Sequence, residues 1–254
     1  MKRKTDTIST QLKRSFVVAK KNVKIYYLKG PVIVFGLLFP LFLFLAFTTG
    51  KSIPLKELLP GLIGMVTFFT ATSVGPSIMP WETRSRTLER LACCPITLWA
   101  ILLGDIFSAF LFGLAISVIP LLLTLFLSIG LSNFVVLFFG LVLANFCFSV
   151  LSVLFSAYPP SDLPATVMMI SSLIKFPLVF ISGIFIPIQQ MPSWGRIIAS
   201  FSPLTYFSDI ARRLILNNGY YSLILDFLMI AIFTLIFLVA TIGLHKKTFT
   251  KRIS

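Results

Sequence analysis

Long apolar runs separated by short polar breaks dominate the chain. Six of them, at about 31–49, 58–80, 101–129, 134–157, 163–186 and 222–244, come close to or exceed the roughly 20 residues that a helix needs to cross the hydrocarbon core of a bilayer. Pro31 suits the first turn of the first run, where its missing N–H is not needed. Gly130–Asn133 make a tight turn after the third run, and Pro159-Pro160 stop the fourth, because neither proline can continue a helix. The pattern predicts an all-α, polytopic membrane protein with six transmembrane helices, built as one domain over residues 1–254.

Three segments depart from that pattern. Over 5–29, helical spacing puts Ile8, Leu12, Phe16, Ala19, Val23, Tyr26 and Tyr27 on one arc. Lys13, Arg14, Lys20, Lys21 and Lys24 fall on the opposite arc, while Val17, Val18 and Ile25 do not fit. An interfacial amphipathic helix follows, its basic face toward phosphate, serving as an anchor or as a lever to another protein. Residues 82–97 form a charged island of helical composition with both signs mixed, more than a loop between two spans requires. It predicts a short helix outside the bilayer that touches a partner. Residues 187–214 carry Pro187, Pro192 and Pro203 among Trp194, Ile197, Phe201 and Tyr206. That is too broken for a span and too apolar for a free loop. Irregular backbone at membrane depth must be covered by protein or line a wet cavity, so this segment is expected to re-enter the outer leaflet and close the external end as a gate.

Charge placement sets the orientation. The net charge of +14 raises nucleic acid as a partner. However, sixteen of the twenty-two Lys and Arg lie in residues 1–30, 82–90 and beyond 244, all on one predicted side. This is the positive-inside bias, and it expects both termini in the cytoplasm of a cell with the chain in its plasma membrane. The basic skirt then serves anionic lipid headgroups, and no nucleic-acid partner is expected. The first thirty residues are long and basic with no cleavage pattern, unlike a secretory signal.

Catalytic and metal chemistry is sparse. Gly50-Lys51-Ser52 imitates the end of a phosphate loop, but Leu45 stands where its first glycine belongs. Cys93, Cys94 and Cys147 have no metal or disulfide spacing, and His245, the lone histidine, reads as an interfacial side chain. Eight carboxylates, most near the ends of runs, offer no acid–base site. No catalytic residue, metal site or cofactor bound by this chain is expected. Lys175, halfway along the fifth run, has two open readings. It faces the bundle and pairs with a carbonyl or carboxylate, or it attracts an anionic substrate headgroup. No acid lies comparably deep, which weakens, without removing, the alternative of a stand-alone secondary transporter or channel.

The charged island and two later stretches together resemble the permease subunit of an ABC-2 type exporter. The island supplies Glu82, Thr87-Leu88-Glu89-Arg90-Leu91 and Pro95, followed by Leu103-Gly104 in the next run. Phe176-Pro177 through Ser182-Gly183 to Pro187 resembles the family's fifth-span signature, and Ser202-Pro203-Leu204-Thr205-Tyr206 with Arg212 its closing motif. The order of elements is kept over nearly the whole chain. Arg86 stands where the family usually has Gly, which bears on where the coupling helix starts; Asp105 stands where a basic residue is common, which implies an altered partner surface.

The resemblance implies a coupling helix at 82–97 seated in a cleft of a separate ABC ATP-binding subunit, which holds ATP-Mg. Leu88 and Leu91 would insert as apolar anchors, and Glu82, Arg84, Glu89 and Arg90 would set the register by charge. It also implies a second permease beside this one, the same or different. The path or gate would draw on Lys175, Phe176, Pro177, Ser182, Gly183, Pro187, Pro203 and Tyr206. The apolar, aromatic spans favour a lipophilic or lipid-linked substrate.

Overall fold

The computed structural model describes residues 8–27, 34–49, 54–126 and 130–253, which form helices and turns without a strand. Helix α1 (Ile8–Asn22) runs on as a π-helical turn, Val23–Tyr27. A second π turn, Val34–Leu38, leads into α2 (Phe39–Thr48). Then come α3 (Leu55–Ala71), α4 (Gly75–Arg84), α5 (Thr87–Cys93), α6 (Leu98–Phe126), α7 (Leu131–Phe155) and α8 (Pro164–Ile181). A 3-10 turn, Ile188–Gln190, precedes α9 (Ser193–Ala199), α10 (Pro203–Leu216) and α11 (Leu223–Ile253).

Five stretches among the described residues are long and apolar enough to cross a membrane: Lys56–Arg84, Leu98–Phe126, Leu131–Phe155, Pro164–Ile181 and Leu223–Phe249. They correspond to the second through sixth expected spans. The first expected span, 31–49, begins at residues that lie outside the described ones. Its described part joins the π turn Val34–Leu38 (5 residues) to α2 (10 residues), short of the roughly 20 helical residues that cross a hydrocarbon core.

The core is built where α3, α7 and α10 meet. Phe68 of α3 meets Phe148 of α7 edge-on at 5.2 Å between ring centres, and Phe148 meets Phe207 of α10 at 6.3 Å. Lipid is as apolar as these side chains, so close packing and interhelical hydrogen bonds do the work that water exclusion does elsewhere. Asn145 of α7 shows the second device, donating from Nδ2 to the Phe110 carbonyl of α6 at 2.8 Å. Helix α11 packs along α7, and α1 lies across the first half of α6.

The second span differs from the expected single helix over 58–80. It breaks at Thr72–Val74, and α4 restarts at Gly75. Pro76 explains the break: it has no N–H for the carbonyl four residues back, which is that of Thr72.

Candidate functional site

The charged island is a folded-back foot, not one helix over 82–97. Helix α4 ends at Arg84, and Arg86 turns the chain with φ 54°, the left-handed region. Helix α5 then occupies only Thr87–Cys93, with Cys94 extended before α6 begins at Leu98. A side chain costs roughly 1–2 kcal/mol in that backbone region and glycine almost nothing. The departure from Gly at position 86 therefore falls at the one place in the foot where glycine has a physical reason.

Two residues expected to face a partner face inward instead. Leu88 is fully buried in a cluster with Val18 of α1, Met79 of α4 and Ile96 and Ala100 beside and on α6. It anchors the foot to its own bundle, so the expectation of an apolar plug at Leu88 is corrected. Glu82 is also fully buried, its carboxylate paired with Lys21 of α1. Arg84, Ser85, Arg86, Arg90, Cys93, Cys94 and Pro95 are exposed, while Thr87, Glu89 and Leu91 are half-buried. The outward face is thus basic.

Helix α1 is stitched to both ends of this foot. Gln11 donates from Nε2 to the Pro95 carbonyl at 3.2 Å and accepts at Oε1 from the Thr97 amide at 3.1 Å. Arg14 also donates to the Pro95 carbonyl. Asn22 donates to Asp105 Oδ1 at 2.6 Å. Asp105 is buried in this contact, so it shapes the α1–α6 joint and offers no surface to a partner. Gly104 beside it marks the crossing: a Cβ there would lie 2.7 Å from Val18 Cβ and 2.8 Å from the Ser15 carbonyl. Burial, with Glu82 and then Asp105 nearby, pushes the Tyr26 phenol above its ordinary range, so it stays neutral.

The buried stripe of α1 is Gln11, Ser15, Val18, Ala19, Asn22, continuing to Tyr27. It shares Ala19 and Tyr27 with the apolar arc expected from periodicity, whose Ile8, Leu12 and Phe16 are exposed. Phe16 lies flat on Phe107 at 5.3 Å. The sequence held one signal for this stripe: Gln11, Ser15 and Asn22 recur at helical spacing, small or amide-bearing, between the lysines.

Lys175 satisfies the carbonyl that Pro76 leaves free, donating from Nζ to Thr72 O at 2.7 Å. Of the two open readings, a carbonyl partner is present, and no carboxylate pairs with Lys175 among the described residues. The ammonium borders a cavity of about 480 Å³ whose walls include Phe39 and Phe69 on one side and Met168, Met169 and Phe176 of α8 on the other. A second cleft of about 430 Å³ opens beside the foot, between Trp81, Arg84 and Ser85 and the start of α8 at Leu163–Ala165. Ala165 borders both.

Pro177 follows Phe176 directly, and the remaining expected path residues gather beyond the far end of α8. Pro177 lies within α8, and Ser182 donates back to the Val179 carbonyl at 3.0 Å. Gly183 turns the chain with φ 80°. Its carbonyl accepts from Arg212 at 3.1 Å, and the Ser182 carbonyl accepts from Ser208 at 2.7 Å, so α10 clamps this turn. Pro187 precedes the 3-10 turn, and Pro203 opens α10. Tyr206 donates to the Ser200 carbonyl at 2.9 Å and packs on Tyr221 at 5.4 Å. Burial, then the neighbouring Tyr221, raises the Tyr206 phenol above its usual range. Asp209 accepts the amides of Tyr220 and Tyr221, each at 2.9 Å, a cap that sequence reasoning did not find. Helix α9 leaves Trp194 and Ile197 exposed, and Phe201 in the turn after it is exposed too.

A family model described as "ABC-2 type transporter" matches residues 8–216. Over 191 residues the chain is 26% identical to the "Probable multidrug ABC transporter permease YbhR" of Escherichia coli (strain K12), covering 72% of this chain and 49% of that protein. It is 31% identical over 188 residues to the "Daunorubicin resistance ABC transporter permease protein DrrB1" of Streptomyces coeruleorubidus, covering 72% of this chain and 65% of the relative. The aligned part thus spans between about half and two thirds of these relatives' length.

Proposed function

The chain belongs to the ABC-2 type transporter family, and from that premise we propose that it is the permease of an ATP-driven exporter, coupled through its foot to a separate ABC ATP-binding subunit. The observation that carries this reading is the foot itself. It presents an outward basic face at Arg84, Arg86 and Arg90 while Glu82 and Leu88 lock it to α1, α4 and α6. A force applied to such a foot reaches the spans as a unit, because α1 is bonded to the foot on both sides of α5 and crosses α6 closely at Gly104.

The chemistry of the face defines what it meets. Three arginines on one short reversal call for an acidic cleft, which would steer docking and fix its register. ATP-Mg belongs to that subunit, and this chain contributes no catalytic group. Closure of the paired ATPases would draw two feet together and turn two permeases between inward and outward states. The nucleotide shifts that equilibrium only by binding one state better than the other. The foot then lies in the cytoplasm with both termini, the turn at Gly183 and α9–α10 form the external gate, and the assembly sits in the cell membrane without a nucleic-acid partner. The relatives' names, with the aromatic cavity beside Lys175, support a lipophilic or lipid-linked cargo.

The test is co-purification. A tagged chain is expected to bring down an ATP-binding cassette protein. Arg84→Glu with Arg90→Glu should weaken that capture at least about tenfold while the permease stays monodisperse. Capture that ignores both charge reversals, with ATPase activity indifferent to the chain, would defeat the reading. Efflux that survives ATP depletion under an intact ion gradient would transfer it to a secondary transporter.

A further inference from the structure

We propose that the groove along α8 is a binding site for an amphiphile with an anionic headgroup, carboxylate or phosphate, whose charge is held by Lys175. This deepens the permease reading above by naming a substrate class, and it rests on that reading only for the word substrate.

The groove is continuous in the sequence of α8. Ala165, Met168, Met169, Ser172, Lys175 and Phe176 recur at steps of three and four, one stripe of the helix. The stripe begins at the cleft beside Arg84 and ends at the ammonium, with Ala165 shared by both cavities. Ten residues of helix make that distance about 15 Å. A cavity of about 480 Å³ lies within the range that holds a small ligand. The walls are phenylalanine and methionine, and methionine adapts to tails of differing shape.

The polar side of the groove selects the sign of the headgroup. Lys175 has three N–H donors, and the Thr72 carbonyl takes one. The hydroxyls nearby are already committed as donors: Ser73 to the Thr70 carbonyl at 2.8 Å and Ser172 to the Met168 carbonyl at 2.9 Å. The ammonium is therefore the remaining donor at the floor, and no carboxylate of the described chain neutralises it. A cation in an apolar surrounding is costly until it is paired. An arriving anion supplies that pair with charge-assisted hydrogen bonds. An amine would meet a like charge, and an alcohol would gain no ion pair.

The test uses the full chain in nanodiscs of zwitterionic lipid, without ATP or partner. The probe is a lauric acid carrying a diazirine in its tail, compared with the alcohol and the amine of the same tail. Cross-linked residues are mapped by mass spectrometry. The acid is expected to label the Met168–Phe176 stretch at least about tenfold more than the alcohol, and the amine least. Lys175→Met should remove the preference for the acid, and Lys175→Arg should keep it. Equal labelling by acid, alcohol and amine in the unaltered chain overturns the proposal, whatever the variants do. Competition identifies the source: displacement by phosphatidic acid placed in the nanodisc assigns the headgroup to a membrane lipid, and displacement by soluble laurate alone assigns it to a solute. Because labelling needs no ATPase, its failure leaves the coupling reading intact, and failed coupling leaves the groove standing.

Discussion

Pro76, Thr72 and Lys175 form one unit, although 99 positions separate Pro76 from Lys175 along the chain. The proline removes a donor, the threonine carbonyl is orphaned, and the lysine takes it at 2.7 Å. Each residue was legible alone: a proline inside an apolar run, a lysine inside another. Their pairing was not, because no local rule says which carbonyl meets which ammonium. Arg86 is the converse case. Its φ of 54° is a turn that the sequence did not announce, since an arginine carries no turn signal. Arg86→Gly is expected to raise stability by about 1 kcal/mol. A thermal melt of the purified chain reads this directly, and a lower midpoint would show that the arginine side chain gives more than its backbone costs.

At the scale of elements, the five long apolar stretches followed from hydrophobic length, and the breakage of 187–214 followed from its prolines. Helix α1 did not follow so simply. Periodicity sorted its residues into apolar and basic arcs, yet the buried stripe sets Gln11, Ser15 and Asn22 beside Val18 and Ala19, and of these only Ala19 belongs to the apolar arc. A polar stripe looks solvent-facing until its partners are known, and those are Pro95, Thr97 and Asp105, more than eighty positions away. Gly104→Ala tests the joint. The added methyl meets Val18 and the Ser15 carbonyl below 3.0 Å, so α1 must move, at about 1–3 kcal/mol. Amide exchange in residues 8–27 should quicken while α7 and α11 keep their protection. Unchanged exchange in α1 would mean that the crossing absorbs a methyl without shifting. Asp209→Asn tests the other end. Oδ2 of the carboxylate accepts both backbone amides and Oδ1 shares that of Tyr220; a neutral carboxamide keeps one accepting oxygen but loses the charge assistance, so a loss of about 1 kcal/mol is expected. It should be accompanied by faster exchange at Tyr220 and Tyr221.

Across the whole molecule, the foot and the far turn are joined by α8. The start of α8 borders the cleft at Arg84, its middle reaches Thr72, and its end is clamped by Ser208 and Arg212 of α10. A displacement at α4 therefore has a packed route to the Gly183 turn. The class of the fold was legible in the sequence because membrane length and charge asymmetry are properties of whole segments. The inward turn of Glu82 and Leu88 was not, because a short amphipathic segment reads the same whether its apolar side meets a partner or its own bundle. That distinction is why the expected contact face reduces to its arginines.

The exposed row Ile8, Leu12 and Phe16 on α1 carries one more consequence. Those side chains demand oil, while the opposite side of the same helix is bonded to the foot. The boundary between hydrocarbon and headgroups thus sets how high the foot rides. Acyl-chain length becomes a dial: thin and thick bilayers should hold the foot at different heights, at fractions of a kcal/mol per Å. Reconstituted together with the ATP-binding subunit proposed above into a series of phosphatidylcholines of increasing chain length, the permease is expected to stimulate an ATPase rate that passes through a maximum. A rate flat across the series would show that the helix floats free of the bilayer's thickness.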